Sequence, residues 1–198
     1  MIPHARSVQK FVYDNYGKNL FGYLVLIIVV LCLIGGILYL TRNTARGVSV
    51  RNYLWLVGVA GVYGYVTLKL WKHPEEAIHF LEYGLLSFLF HRALRHHVHD
   101  VTIYFTASFI VLFVGTIDEI IQFIIPSRVG DFRDVWLNFL GGALLQIGLW
   151  KGIRPESISG TIRLGSVRIL SVTVVCCLIL LGLCASMSIL ALPVFLKG

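Results

Sequence analysis

Three stretches of this chain place hydrogen-bonding and ionisable side chains at helical spacing. His79 and Glu82 are three residues apart, Asp118 and Gln122 four apart, and Glu119 and Gln122 three apart. Asp131, Asp134, Asn138, Gly142 and Gln146 recur at steps of 3, 4, 4 and 4. On a helix, at about 100° per residue, that last set falls in an arc of roughly 120°. Carboxylates grouped with an imidazole and amides can accept hydrogen bonds from the hydroxyls or amines of a polar headgroup. A desolvated Glu119 or Asp118 could also serve as an acid–base pair with His79, while Arg128 held an anionic group. Carboxylates can in addition hold a divalent cation. The chain carries no H-E-x-x-H, no G-x-S-x-G and no recognisable transferase motif. The reading therefore leans away from an enzyme, and no catalytic residue, metal ligand or cofactor is assigned. His91, His96, His97 and His99 have Asp100 as their one nearby acidic partner in sequence and no cysteine, a poor set for zinc.

The elements that carry these residues are apolar. Of 198 residues, 57% are hydrophobic and only 14% are charged, with a mean hydropathy of +0.81. A soluble domain is about 45–50% apolar and about 25% charged. The composition thus excludes a disordered chain, a disulfide-stapled secreted domain and a soluble two-domain enzyme, and points to a membrane protein. A span needs about 20 apolar residues. The pattern predicts an all-α, polytopic transmembrane bundle with six spans, five being the alternative: 21–40, 52–70, 75–90, 101–125, 134–150 and 169–192. A polar tail (1–20) precedes two N-terminal helices (21–70), a three-helix core (75–150), a basic connector (151–168) and a C-terminal helix (169–192). The N-terminus does not read as a cleavable signal peptide. Gly58, Gly61 and Gly64 predict close helix approach. On the fifth segment Val135, Trp136, Phe139, Leu140 and Leu144 are expected to face lipid, and Asp134 could be simply a helix N-cap. Cys32, Cys176, Cys177 and Cys184 lie in apolar runs, where cysteine behaves as a small hydrophobe.

The net charge of +7 comes without a nucleic-acid module or a basic stripe with interleaved aromatics. It fits loops beside anionic headgroups, with lipids and not nucleic acid as partners. Six spans divide Lys and Arg eight against nine, so the positive-inside rule gives no orientation. Five spans divide them eleven against six, with the N-terminus cytoplasmic. The polar residues decide for six. Only then do the first turns of the third and fifth spans and the last turns of the fourth meet at one face, where buried carboxylates can share partners.

Read together, H-F-L-E-Y at 79–83, D-E-I-I-Q at 118–122, P-S-R at 126–128, Asp134 and N-F-L-G-G at 138–142 resemble the VanZ-like family of small bacterial membrane proteins. The resemblance covers about residues 79–149. It implies a set of polar residues, His79, Glu82, Tyr83, Asp118, Glu119, Gln122, Arg128, Asp134 and Asn138, in a multi-pass protein of the bacterial inner (cytoplasmic) membrane. The family takes its name from a protein associated with resistance to teicoplanin, a lipid-bearing glycopeptide. The resemblance implies a cell-envelope or antibiotic-resistance setting but no reaction.

Three functions compete. The first is binding of a lipid or lipid-linked headgroup in a shallow acidic pocket. The second is an accessory subunit of a larger membrane complex, for which the glycine-bearing second span and the polar stripe of the fifth would be packing surfaces. The third is a membrane-embedded enzyme acting on a headgroup.

Overall fold

The structure, a computed structural model, describes residues 15, 17, 19–43, 47–124, 132–155 and 158–195; at 124 and 188–195 only the backbone is described. Six α-helices follow in order: α1 (Leu20–Arg42), α2 (Val50–Lys69), α3 (Pro74–Leu94), α4 (Thr102–Ile124), α5 (Phe132–Ile147) and α6 (Leu164–Phe195). A π-helical turn, Gly148–Ile153, extends α5. Among the described residues there is no strand, only an isolated bridge between Asp100 and Ser159. The all-α expectation holds. Three helices, at Leu20–Arg42, Thr102–Phe123 and Leu164–Met187, are long and apolar enough to cross a membrane.

The chain forms two compact units, 1–81 and 82–198. In the N-terminal unit α1 packs along α2. Ser49 starts α2: its Oγ accepts from the Arg51 N–H (3.4 Å) while Asn52 Oδ1 accepts from the Ser49 N–H (3.1 Å), so two donors left over at a helix start are satisfied. The close approach in this unit is at Gly22, where a Cβ would stand 3.0 Å from the Trp71 ring, not at the α2 glycines. A Cβ at Gly58 or Gly61 meets nothing within 4 Å among the described residues, and both lie on an exposed face of α2. Pro74 opens α3 at the first helical position, where its missing N–H costs nothing.

In the C-terminal unit α4 is the central helix, packed against both α5 and α6. Its hydroxyls bond back one turn: Thr106 to the Thr102 carbonyl, Ser108 to Tyr104 and Thr116 to Leu112, at 2.8–2.9 Å. Buried polar groups are thereby paired within the helix. The second half of α3 and all of α5 run antiparallel to α4. Gly142 meets Val111 and Asn138 lies at Gly115, while Trp150 stacks on Tyr104 near the start of α4. One cluster of Leu112, Val135 and Cys177, flanked by Phe109, Phe113, Phe139 and Leu181, joins α4, α5 and α6. This corrects the expected outer face of α5. Trp136 and Leu140 are exposed, but Val135 and Leu144 are buried and Phe139 packs inward, because α6 covers that side.

α6 begins at Leu164, inside the segment expected to be a basic connector. The cause is Asp100. Its Oδ1 accepts from the Thr102 N–H (3.0 Å) and hydroxyl (2.6 Å), and its Oδ2 accepts from the Arg163 N–H (3.0 Å), with the Ser166 hydroxyl as a further donor. One carboxylate therefore caps the starts of α4 and α6 together. The two helices then run parallel, and the Cys177 thiol reaches the Phe109 carbonyl at 3.0 Å. Burial alone would push the Asp100 carboxyl up, but the hydrogen bonds outweigh it and hold it below the usual carboxylate range.

Two outcomes follow. Gly142→Ala puts a methyl 2.8 Å from Val111 Cγ1. Thermal unfolding in detergent is expected to show a loss of about 1–3 kcal/mol, partly recovered in Gly142→Ala/Val111→Ala. Because the folded Asp100 pKa is lowered, its stabilisation is present above its unfolded value and is lost as pH falls from about 4 through the folded value. Unfolding midpoints measured across that range should fall for the wild type, and Asp100→Asn should start lower and show a shallower acid slope.

Candidate functional site

Glu82, Tyr83, Asp118, Glu119, Gln122, Asp134 and Asn138 lie at the end of the C-terminal unit away from Asp100. Near the end of α4, Glu119 is only 1% exposed. The Gln122 amide nitrogen donates to Asp118 Oδ2 and to Glu119 Oε1, both at 3.1 Å. Helical spacing does this: residues 118 and 119 both lie within one turn of 122, so one NH2 group uses its two hydrogens on two carboxylates. The Tyr83 hydroxyl from α3 lies within electrostatic reach of Asp118, Glu119 and Glu82.

Gly115 makes the closeness possible. A Cβ there would stand 3.3 Å from Asn138 Cβ and 3.5 Å from the Tyr83 ring, so the position holds three helices against one another. Asn138 is 4% exposed and directed into this contact. Asp134 lies one turn earlier, in the first turn of α5, where the helix dipole favours its charge. The helix begins at Phe132, so Asp134 is a first-turn residue and not the N-cap. Cys184 of α6, buried, lies within electrostatic reach of Glu119 and closes the far side.

Glu82, Tyr83, Asp118, Glu119, Gln122, Asp134 and Asn138 thus belong to one unit. His79 lies three residues before Glu82 on α3, in the N-terminal unit. Arg128 falls outside the described residues, as does Asp131. Among the described residues no group of three or more His, Cys, Asp and Glu is arranged to hold a metal ion.

A second polar network occupies the opposite end. Gln146, 2% exposed, donates from Nε2 to the Ser87 carbonyl (3.0 Å) and the Ser87 hydroxyl (2.8 Å), and its Oε1 lies 3.0 Å from His91 Nδ1. A carbonyl can only accept, so the amide orientation is fixed and His91 must carry its proton on Nδ1. Gln146 belongs to the polar stripe of the fifth segment, whereas His91, just past the expected end of the third span at residue 90, lies inside α3. The signal was there: Ser87 and His91 are four apart and share one face of α3. His91 is a buried packing residue of this network, with its ring 5.3 Å from that of Tyr104.

With this geometry established, the family model VanZ/LLP1 matches residues 20–154. The chain belongs to the VanZ/LLP1 family. The VanZ/LLP1 match reaches back to residue 20, so α1 and α2 are part of the family region along with the motif-bearing stretch. It ends at Arg154, and α6 lies beyond it. No curated protein and no solved structure matched the chain.

Removing the Gln146 amide strands a buried His91 N–H. Gln146→Leu should cost about 1–3 kcal/mol in detergent unfolding. His91→Ala/Gln146→Leu should cost less than the two single changes summed, by at least about 0.5 kcal/mol. Additive losses would show that the two side chains do not depend on each other.

Proposed function

We propose that this VanZ/LLP1 protein is a multi-pass protein of the bacterial inner membrane. In this reading it binds the polar headgroup of a lipid or lipid-linked molecule at the cluster around Glu119. The observation that carries it is a carboxylate pair, Asp118 and Glu119, held by one amide at the end of a largely apolar helix, with Glu119 1% exposed. An acid inside a membrane helix costs a few kcal/mol and marks a functional position by default. Here the two acids supply acceptors for hydroxyl or ammonium groups. Gln122 orients them, and Tyr83 and Asn138 add donors beside them. Glu82 and Asp134 border the cluster and would extend the contacts to a larger headgroup.

The apolar α4 and α6 give an acyl tail a matching environment. The ligand class is therefore an amphiphile with a hydroxyl- or amine-rich head, which a lipid-linked cell-wall precursor and a lipoglycopeptide both satisfy. That chemistry connects the protein to the cell envelope.

Native mass spectrometry of protein released from nanodiscs tests the reading. Wild type is expected to retain lipid with an amine or polyol headgroup. Glu119→Gln, which keeps the shape and removes the charge, should lower that retention several-fold, and Tyr83→Phe should lower it less. Equal retention in all three would overturn the proposal.

A further inference from the structure

One cavity lies away from the acidic cluster. It measures about 300 Å³ and lies at the other end of the C-terminal unit, lined by Val101, Tyr104, Trp150, Arg154, Pro155 and Gly160 together with Ile158. That volume is at the lower bound of small-molecule sites, about 300–1,000 Å³. We propose that this cavity is a second, independent site, which takes the phosphodiester headgroup of an anionic glycerophospholipid.

Four observations carry this. First, the wall is aromatic and fixed. Tyr104 and Trp150 stack at 5.7 Å between centroids, Phe105 meets Trp150 edge-on at 5.7 Å, and Tyr104 is buried. Indole and phenol rings prefer the level of the headgroups. Second, Arg154 is held in place by its backbone. The π-helical turn ends with the Arg154 N–H bonded to the Leu149 carbonyl at 2.8 Å, and Arg154 itself is left-handed, with φ 48°. A non-glycine residue in that region is strained, and such strain persists where the surroundings enforce it. Among the described residues it is the one non-glycine with positive φ. π-Turns are themselves frequent at functional sites. The result puts a guanidinium at the rim, within electrostatic reach of the Tyr104 hydroxyl.

Third, among the described residues the charge of this end is mostly basic. Arg92 and Arg95 at the end of α3, Lys151 and Arg154 after α5, and Arg163 and Arg168 at the start of α6 all gather here. Lys151 Nζ sits 3.7 Å from the Trp150 ring centroid. The described acid at this end is Asp100, whose two carboxylate oxygens are held by donors from α4 and α6, so six described cations stand against one described carboxylate. Cationic residues at a membrane surface attract anionic lipid. Fourth, exposed apolar side chains follow the lining residue Gly160 in the chain, Ile162 at 60% and Leu164 at 70% exposed, and could meet acyl chains. Guanidinium and phosphate match as fork and oxygens, while the aromatic wall favours a headgroup over a free anion.

The test uses the full-length protein in nanodiscs of phosphatidylglycerol and phosphatidylcholine, read by native mass spectrometry. Wild type should retain phosphatidylglycerol in preference to phosphatidylcholine. Arg154→Asn keeps a residue that tolerates the left-handed conformation and removes the charge, and it should lower phosphatidylglycerol retention at least threefold. Arg168→Gln, at the same end but outside the cavity, should leave retention within twofold. An equal drop in both variants would reduce the effect to general surface charge and overturn the site, as would no drop in Arg154→Asn. Soluble glycerol phosphate that displaced the lipid completely at equal concentration would show a free-anion site instead. Retention of phosphatidylethanolamine, whose amine the acidic cluster would take, should fall in Glu119→Gln and stay unchanged in Arg154→Asn, which separates failure of this site from failure of the acidic one.

Discussion

One carboxylate organises the C-terminal unit. Asp100 precedes α4, and its two oxygens take backbone and hydroxyl donors from the starts of α4 and α6, which are more than sixty residues apart in the chain. A helix start leaves four N–H groups without partners, and in a dry setting each costs several kcal/mol. Satisfying two starts with one side chain forces them to the same level, and the helices must then run parallel. The Cys177–Phe109 contact and the Cys184–Glu119 proximity follow from that register. The position of Glu119 against α6 is thus set from the far end of the unit.

The same economy governs the other buried polar groups. Gln146 satisfies Ser87 and His91 at once, Gln122 satisfies Asp118 and Glu119, and the α4 hydroxyls bond back to their own helix. A network is worth keeping in a low-dielectric interior only when its members are all served. What differs between the two ends is charge. The Ser87–His91–Gln146 network uses neutral hydrogen bonds and reads as structure. The Asp118–Glu119–Gln122 group gathers two acids where a neutral pair would cost less, and that excess is what sets it apart as a site.

Glycines complete the arrangement where side chains would obstruct it. Gly142 lets Val111 approach and Gly115 lets Tyr83 and Asn138 meet, and both lie on the α4–α5 contact that brings the acidic residues together. The α2 glycines, with the more obvious spacing, make no such approach among the described residues. Small-residue spacing therefore marked the possibility of contact without saying which helix used it.

The amino-acid order by itself determined the all-helical class, the membrane setting, the approximate extents of the first five helices and the family. Those properties rest on composition, local periodicity and short motifs, all of which are written along one segment at a time. It also grouped Asp118, Glu119 and Gln122, because i, i+3 and i+4 neighbours meet on any helix. Other features were decided only by tertiary structure: the start of α6 at Leu164, the inward packing of Val135, Leu144 and Phe139, the pairing of His91 with Gln146, and the strained Arg154 at the cavity rim. Each depends on a partner far along the chain. A face is apolar or polar in sequence regardless of which helix later covers it, and a carboxylate such as Asp100 does not reveal from its neighbours that it will cap a helix sixty residues away.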